Sequence, residues 1–438
     1  MADYKKYFTG LITMSIPIII GNISHILIGA IDVVVASRHG VDTISAISIA
    51  NAIMVSLFII GIGLMSGITP VISNYRGASV PSKKYLLTTI NYSQILALIF
   101  CFIAFLIIPL IDKIGFEQKL VPIIKEYIFI AAFSNFGGYL QFALKEFLQG
   151  YEILAVPNLI SVAAIFMNLI FNIIFVFGFG PIPAMGAAGL AVATLLVRTI
   201  MGLFMLGYSF KLLSFNLKFD FSYIKQLIKV GYPIAIALLL EFVAFNSITV
   251  IIARDSGLYA AAQNIVITIT SMTFMVPLAI SNAIAIKVGF ANGARNYLDL
   301  KRYSISGSLL TICFMSCCAV ILFVFPRQIL SLITTDETLL NIGVPVIMIA
   351  SVFQIFDGLQ VAFSGILKGL KMTLFVTVAI LCGYWFVGLP LGAILAYVYN
   401  MKLAGFWIGL AISLFVMCVF MGIVLLRKFK KLKADFSN

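Results

Sequence analysis

Asp32, Glu241 and Asp357 stand inside stretches of almost continuous apolar residues, IGAIDVVVA, ALLLEFVAF and VFQIFDGLQV. A charged side chain near the centre of a bilayer costs about 2.5–3.5 kcal/mol on insertion scales, so three cost on the order of 8–10 kcal/mol together. The other thirteen acids lie in loops or near the ends of apolar runs. An acid kept inside a membrane at that expense marks a cation or proton pathway.

Burial disfavours the charged form of a carboxyl group. A group poised between its two forms can exchange a proton for a cation. Around Asp357, Gln354 and Gln360 recur at a spacing of three and share a broad helix face. Asn264, Thr268, Ser271 and Met275 form a similar stripe in another apolar run. Such stripes serve either a polar cavity or hydrogen bonds between helices in lipid. His25 precedes Asp32 by seven residues, nearly two helical turns, so the pair could form a proton relay. A membrane histidine can equally be a packed hydrogen-bonder. Asn168 and Asn172 are four apart, as are Thr194 and Arg198. With Asp32 they could line a small polar chamber whose carboxylate, amide and hydroxyl oxygens suit Na⁺ or a water-borne proton. Arg198 would compete with a bound cation there, or form a structural ion pair with Asp32. No Walker motif supports ATP hydrolysis, and no carbonyl filter loop supports a channel.

The elements that must hold these residues are membrane-spanning helices. The 438 residues are 62% hydrophobic and 10% charged, with a mean hydropathy of +1.14. That is too little charge to cover a soluble surface. Runs long enough to span a bilayer fall at about 8–36, 44–75, 85–111, 120–146, 155–179, 187–210, 225–253, 258–290, 303–325, 339–368, 372–398 and 404–427. They predict an all-α polytopic protein with twelve transmembrane helices. The breaks between them, such as SRHGVD and GFGPIPAMG, are turn-like. The net charge of +13 does not imply nucleic acid. With the N-terminus inside, twenty-one of the 29 lysines and arginines fall on the inner side and seven outside, with Arg198 in mid-membrane. That bias places both termini in the cytoplasm. Lys5 and Lys6 precede an apolar run that carries Pro17 and lacks a small-residue cleavage site, so it reads as an uncleaved first helix. The six cysteines all lie in apolar runs, with no CxxC pair at a loop, and read as buried structural thiols.

The chain also repeats itself. A shift of 216 residues pairs Pro17 with Pro233, Arg38 with Arg254, Ala46 with Ala262 and Gly77-Ala78 with Gly293-Ala294. It also pairs Ala188-Gly189 with Ala404-Gly405. In the fourth and tenth helices the shift is 219, matching Gln141 with Gln360, Leu148 with Leu367 and Gly150 with Gly369. The first six helices therefore echo the last six in the same orientation, an arrangement that holds substrate at the repeat interface. Two pseudo-symmetric lobes are expected, 1–211 and 225–438, joined by a cytoplasmic linker at 212–224. The shift sets His25, not Asp32, opposite Glu241.

In order along the chain, SIPIIIGNISHILIGAIDVVVASRHG, ITPVISNYRGA, MNLIFNIIFVFG, GYPIAIALLLEFVAF, AISNAIAIKVGFANGARN and QIFDGLQVAFSGILKG resemble the multidrug and toxic compound extrusion (MATE) family, in its NorM-like bacterial branch. The resemblance covers essentially the whole chain. It implies a V-shaped, two-lobed bundle in the bacterial inner membrane that works as a monomer. Such a bundle exports amphipathic organic cations and drugs by alternating access, in exchange for Na⁺ or H⁺, with no cofactor, ATP or enzymatic step. It also implies that Asp32, with Asn168, Asn172 and Thr194, is the coupling site of the N-terminal lobe, and Glu241 with Asp357 that of the C-terminal lobe. Gln263 and Asn264 match a polar pair that lines the family's cavity. Phe353 stands where some relatives have a tyrosine, and Arg198 departs from the family pattern. The substrate cavity is accordingly expected among Gln263, Asn264, Ser271, Met275, Phe353, Gln354 and Gln360. The alternative is a flippase for lipid-linked oligosaccharides or lipid precursors on the same architecture. Its cavity would need arginines and lysines to meet phosphates, where this chain offers one mid-membrane arginine and three acids.

Overall fold

A computed structural model of the chain describes residues 2–212 and 219–437. Twelve of its helices are long and apolar enough to cross a membrane. The first half contains α1 (Tyr4–His39), α2 (Val41–Gly77), α3 (Lys83–Ile114), α4 (Val121–Gly150), α5 (Ala155–Phe177) and α6 (Ala187–Leu212). The second contains α7 (Phe221–Ala253), α8 (Gly257–Gly293), α9 (Tyr297–Val324), α10 (Glu337–Gly369), α11 (Thr373–Tyr397) and α12 (Lys402–Phe436). Each overlaps one of the expected runs, four of which overrun their helix by one or two residues. Of the expected linker, residues 213–218 lie outside the described residues.

Helices are what lipid demands, because every backbone N–H and C=O must find its partner within the segment. Polar side chains set several starts. The Ser256 hydroxyl accepts from the Leu258 amide at 3.2 Å before α8. The Asn296 side chain accepts from the Asp299 amide at 3.1 Å before α9. Asp336 accepts from the Thr338 amide at 2.7 Å before α10. Large apolar side chains such as Leu98, Phe102 and Val320 are more than 60% exposed on helix surfaces. That is expected where the surrounding solvent is hydrocarbon.

The helices gather into two compact units. One comprises 17–72 and 80–235; the other comprises 2–16, 73–79 and 236–437 among the described residues. They are called here the N-terminal and C-terminal units. Two of the three boundaries inside long helices fall near repeat-related prolines, before Pro17 in α1 and two residues after Pro233 in α7. A proline inside a helix removes a backbone donor and weakens the turn, which makes these natural points of division.

In the N-terminal unit α4 and α6 approach at backbone distance. A Cβ on Gly137 would lie 2.5 Å from the Thr199 nitrogen, and one on Gly202 2.9 Å from the Gly137 oxygen. Only small residues allow such contact, the usual device of helix packing in lipid. Beside it, Tyr139 of α4 stacks on Phe58 of α2 at 5.1 Å. In the C-terminal unit α8 and α10 meet similarly, and the Ser281 hydroxyl donates to the Val361 carbonyl at 2.8 Å. The middle of α11, Leu381–Gly388, is π-helical, a widened turn often found near functional sites.

The thiols depart from expectation. Cys101 and Cys418 are buried, but Cys313, Cys317 and Cys382 are exposed on their helices and Cys318 is half-buried. In lipid an exposed thiol needs no burial, since the surroundings are already apolar.

Candidate functional site

The C-terminal unit contains a cavity of ≈ 400 Å³ between α7, α8 and α10. Helix α7 contributes Glu241, Phe242, Phe245, Asn246 and Thr249. These positions fall on one face because steps of four residues return nearly to the same direction. Helix α8 contributes Asn264, Ile267, Thr270, Ser271 and Phe274, and α10 contributes Phe353 and Asp357. Asp357 is 7% exposed, and Glu241 is half-buried. The two acids lie within electrostatic reach of each other. Among the described residues neither carboxyl group meets a hydrogen-bond or ion-pair partner. Two unpartnered carboxyl groups at a confined, mostly apolar cavity make a place for a cation.

Aromatic side chains stiffen the cavity wall. Phe245 meets Phe353 edge-on at 6.3 Å and Tyr384 at 5.7 Å. Phe353 in turn meets Trp407 at 5.2 Å. The Trp407 indole donates to Gln263 Oε1 at 2.7 Å, and the Trp385 indole donates to the Leu240 carbonyl at 3.2 Å, next to Glu241. The π-helical stretch of α11 supplies Tyr384 and Trp385 to this support.

Of the residues expected to line a substrate cavity, Asn264, Ser271 and Phe353 do so. Gln263, Met275, Gln354 and Gln360 do not. Gln263 is fully buried behind the wall, holding Trp407. Gln360 donates to Ser364 at 3.3 Å, and both amide atoms of Gln354 are buried without a partner among the described residues. Three residues along a helix turn the side chain about 60° away from the starting face. The two glutamines therefore flank Asp357 and are buried outside the lining. Met275 falls one residue past Phe274 and is turned out of the lining. Thr268 donates back to the Asn264 carbonyl at 2.8 Å. Phe242, Phe245, Asn246, Thr249, Ile267, Thr270 and Phe274 were not anticipated. Projecting four residues at a time from Glu241 would have found Phe245 and Thr249.

The N-terminal unit brings Asp32 together with both asparagines of α5. Asp32 Oδ1 accepts from Asn172 Nδ2 at 2.7 Å and from Asn168 Nδ2 at 3.1 Å, and Asn172 Nδ2 also donates to Asn168 Oδ1 at 3.1 Å. Both asparagines are fully buried. The Asn172 carbonyl oxygen and the Thr194 hydroxyl are buried with no partner among the described residues. These orphaned oxygens and the second oxygen of Asp32 are the donor types that fit a hard monovalent cation.

Two expected pairings are not made. His25 lies on the exposed face of α1 and bonds to nothing among the described residues. Arg198 does not pair with Asp32. It donates from Nη1 to the Ser134 hydroxyl at 3.0 Å, and its guanidinium lies over the Phe58 ring at 4.3 Å. The close approach of α4 and α6 directs it to those partners.

Comparison with known proteins agrees with this architecture. The MatE family model matches residues 17–174 and 233–394, two segments whose starts differ by 233 − 17 = 216, the repeat shift itself. The chain is 27% identical over 449 residues to a probable multidrug resistance protein NorM of Acinetobacter baylyi, covering 99% of this chain and 98% of that protein. Its fold matches a MOP superfamily transporter from Pyrococcus furiosus with a TM-score of 0.89 at 19% identity, over 98% of this chain and 97% of that one. It also matches an outward-facing multidrug resistance MATE family transporter with a TM-score of 0.88 at 19% identity, over the same shares of the two chains. The chain is thus a NorM-like, multi-pass membrane member of the MatE family.

Proposed function

We propose that this protein is a secondary active multidrug exporter of the bacterial inner membrane, with both termini cytoplasmic, that moves amphipathic organic cations in exchange for Na⁺ or H⁺. The observation that carries this reading is the cavity of the C-terminal unit, where Glu241 and Asp357 face aromatic walls with no hydrogen-bond or ion-pair partner among the described residues. Phenylalanine faces attract organic cations, and the two carboxyl groups supply the negative charge that either a drug cation or the driving ion needs. Exchange follows when the two compete for the same acids. Asp32 with Asn168, Asn172 and Thr194 forms a second polar site in the N-terminal unit that serves coupling and not drug contact.

The test is ethidium efflux from vesicles, driven in separate experiments by a Na⁺ gradient and by a pH gradient. One of the two gradients is expected to drive efflux in the wild type, and Glu241→Gln with Asp357→Asn to abolish it. Efflux under neither gradient would overturn the exporter reading. Efflux that survives both substitutions would move coupling to Asp32.

A further inference from the structure

The repeat allows the acidic cavity to be compared, residue by residue, with its counterpart in the N-terminal unit. A shift of 216 sets His25 opposite Glu241 and Phe58 opposite Phe274. A shift of 219 sets Gly138 opposite Asp357 and Ser134 opposite Phe353. Both carboxylates of the cavity are therefore missing at the corresponding positions of the N-terminal unit. Arg198, whose own counterpart is the buried Leu414, reaches into the place they leave. Its guanidinium covers Phe58 at 4.3 Å and donates to Ser134 at 3.0 Å. A Cβ on Gly138 would stand 3.2 Å from Arg198 Cδ, so the arginine runs directly beside the position that corresponds to Asp357. His25, at the glutamate position, lies within the field of both Arg198 and Lys145. The C-terminal cavity carries two acids; the counterpart positions carry a tethered cation, with Asp32 within its electrostatic reach.

We propose that Arg198 is a resident cation: its guanidinium fills, in the N-terminal unit, the place that an exchanging cation takes in the C-terminal cavity. This pocket is then closed to free cations, and only one of the two repeat-related pockets turns over. The word exchanging rests on the function proposed above; the occupancy by Arg198 does not. Ser134 fits the role, since its hydroxyl donates to the Ala131 carbonyl at 2.7 Å and keeps its lone pairs for the guanidinium. Phe58 is held in position by stacking on Tyr139.

Removing the guanidinium should leave a vacancy of its own shape and charge preference. The test uses full-length protein in nanodiscs carrying Glu241→Gln and Asp357→Asn, which together remove both acids of the competing cavity. Adding Arg198→Ala should create a response to methylguanidinium, a rise of about 3 °C in Tm at about 20 mM. Tetramethylammonium and NaCl at the same concentration should give none, and neither should any of the three salts with Arg198 in place. An absent response, or an equal one with Arg198 present, overturns the assignment. Should Arg198→Ala fail to fold, Gly138→Asp and Gly138→Asn are compared in the otherwise native chain. A resident cation makes the aspartate variant the more stable of this nearly isosteric pair, and the reverse order refutes it. Coupled efflux that persists without Glu241 and Asp357, together with a methylguanidinium response, would sink the acidic-cavity reading and leave this one standing.

Discussion

Asn172→Ala is the substitution whose outcome the geometry constrains most tightly. Asn172 Nδ2 donates to Asp32 Oδ1 at 2.7 Å, the shorter of the two amide bonds on that oxygen. A hydrogen bond to an ionised acceptor contributes about 1.5–3 kcal/mol net. Neutral side-chain hydrogen bonds between membrane helices average only about 0.6 kcal/mol in double-mutant cycles. The two magnitudes separate the cases. A cycle combining Asn172→Ala with Asp32→Ala, read by reversible unfolding in mixed micelles, should give a coupling energy of about 1.5 kcal/mol or more if the amides are arranged for a carboxylate. Asn168→Ala, which loses the 3.1 Å bond, should couple to Asp32 by about half as much. The same variants in vesicles should shift the half-saturating concentration of the driving ion by about 10-fold or more, since about 1.4 kcal/mol is a factor of ten. Coupling at or below about 0.6 kcal/mol for both asparagines would refute the reasoning, because the cluster would then be ordinary interhelical packing.

Four further outcomes follow from other parts of the molecule. Glu241→Gln and Asp357→Asn should each lower ion-driven efflux by about tenfold or more, and the double variant should be little worse than the stronger single one, because both act in one cavity; additive losses would mean two independent sites. Gln354→Leu should leave efflux unchanged and be neutral or stabilising by up to about 1 kcal/mol, since both amide atoms are buried without a partner; a large loss of efflux would return Gln354 to the cavity lining. Trp407→Phe should cost about 1–3 kcal/mol by orphaning Gln263 Oε1, and Gln263→Leu in the same chain should recover part of it; no recovery in unfolding experiments would assign the cost to packing alone. Gly137→Ala should destabilise by about 1–3 kcal/mol through overpacking, because its Cβ would lie 2.5 Å from the Thr199 nitrogen; unchanged unfolding would show that α4 and α6 can separate freely.

The twelve spans, the repeat and the acids were legible because each is written in local chemistry. Apolar runs of fixed minimum length are what a bilayer imposes, and an acid among them stands out whatever its neighbours. The pairing of Asn168 and Asn172 with Asp32 was also readable, because residues four apart share a face and an acid in lipid needs donors. The glutamines misled for a related reason. Gln354 and Gln360 share a broad face with Asp357, but a helix has several neighbours, and composition does not say which neighbour borders the cavity.

The sequence by itself determined the twelve-helix class, the twofold internal repeat and which acids had to be explained, since hydropathy and spacing are properties of the chain alone. Only the tertiary structure decided that Glu241 and Asp357 open on one aromatic-walled cavity and that Gln263 braces Trp407 behind it. It alone also directed Arg198 to Ser134 and Phe58 in place of Asp32. Those outcomes depend on helix rotation and on backbone approach. They are fixed by packing between segments 64 residues apart for Arg198 and Ser134 and 144 apart for Gln263 and Trp407, distances at which local sequence pattern carries no instruction.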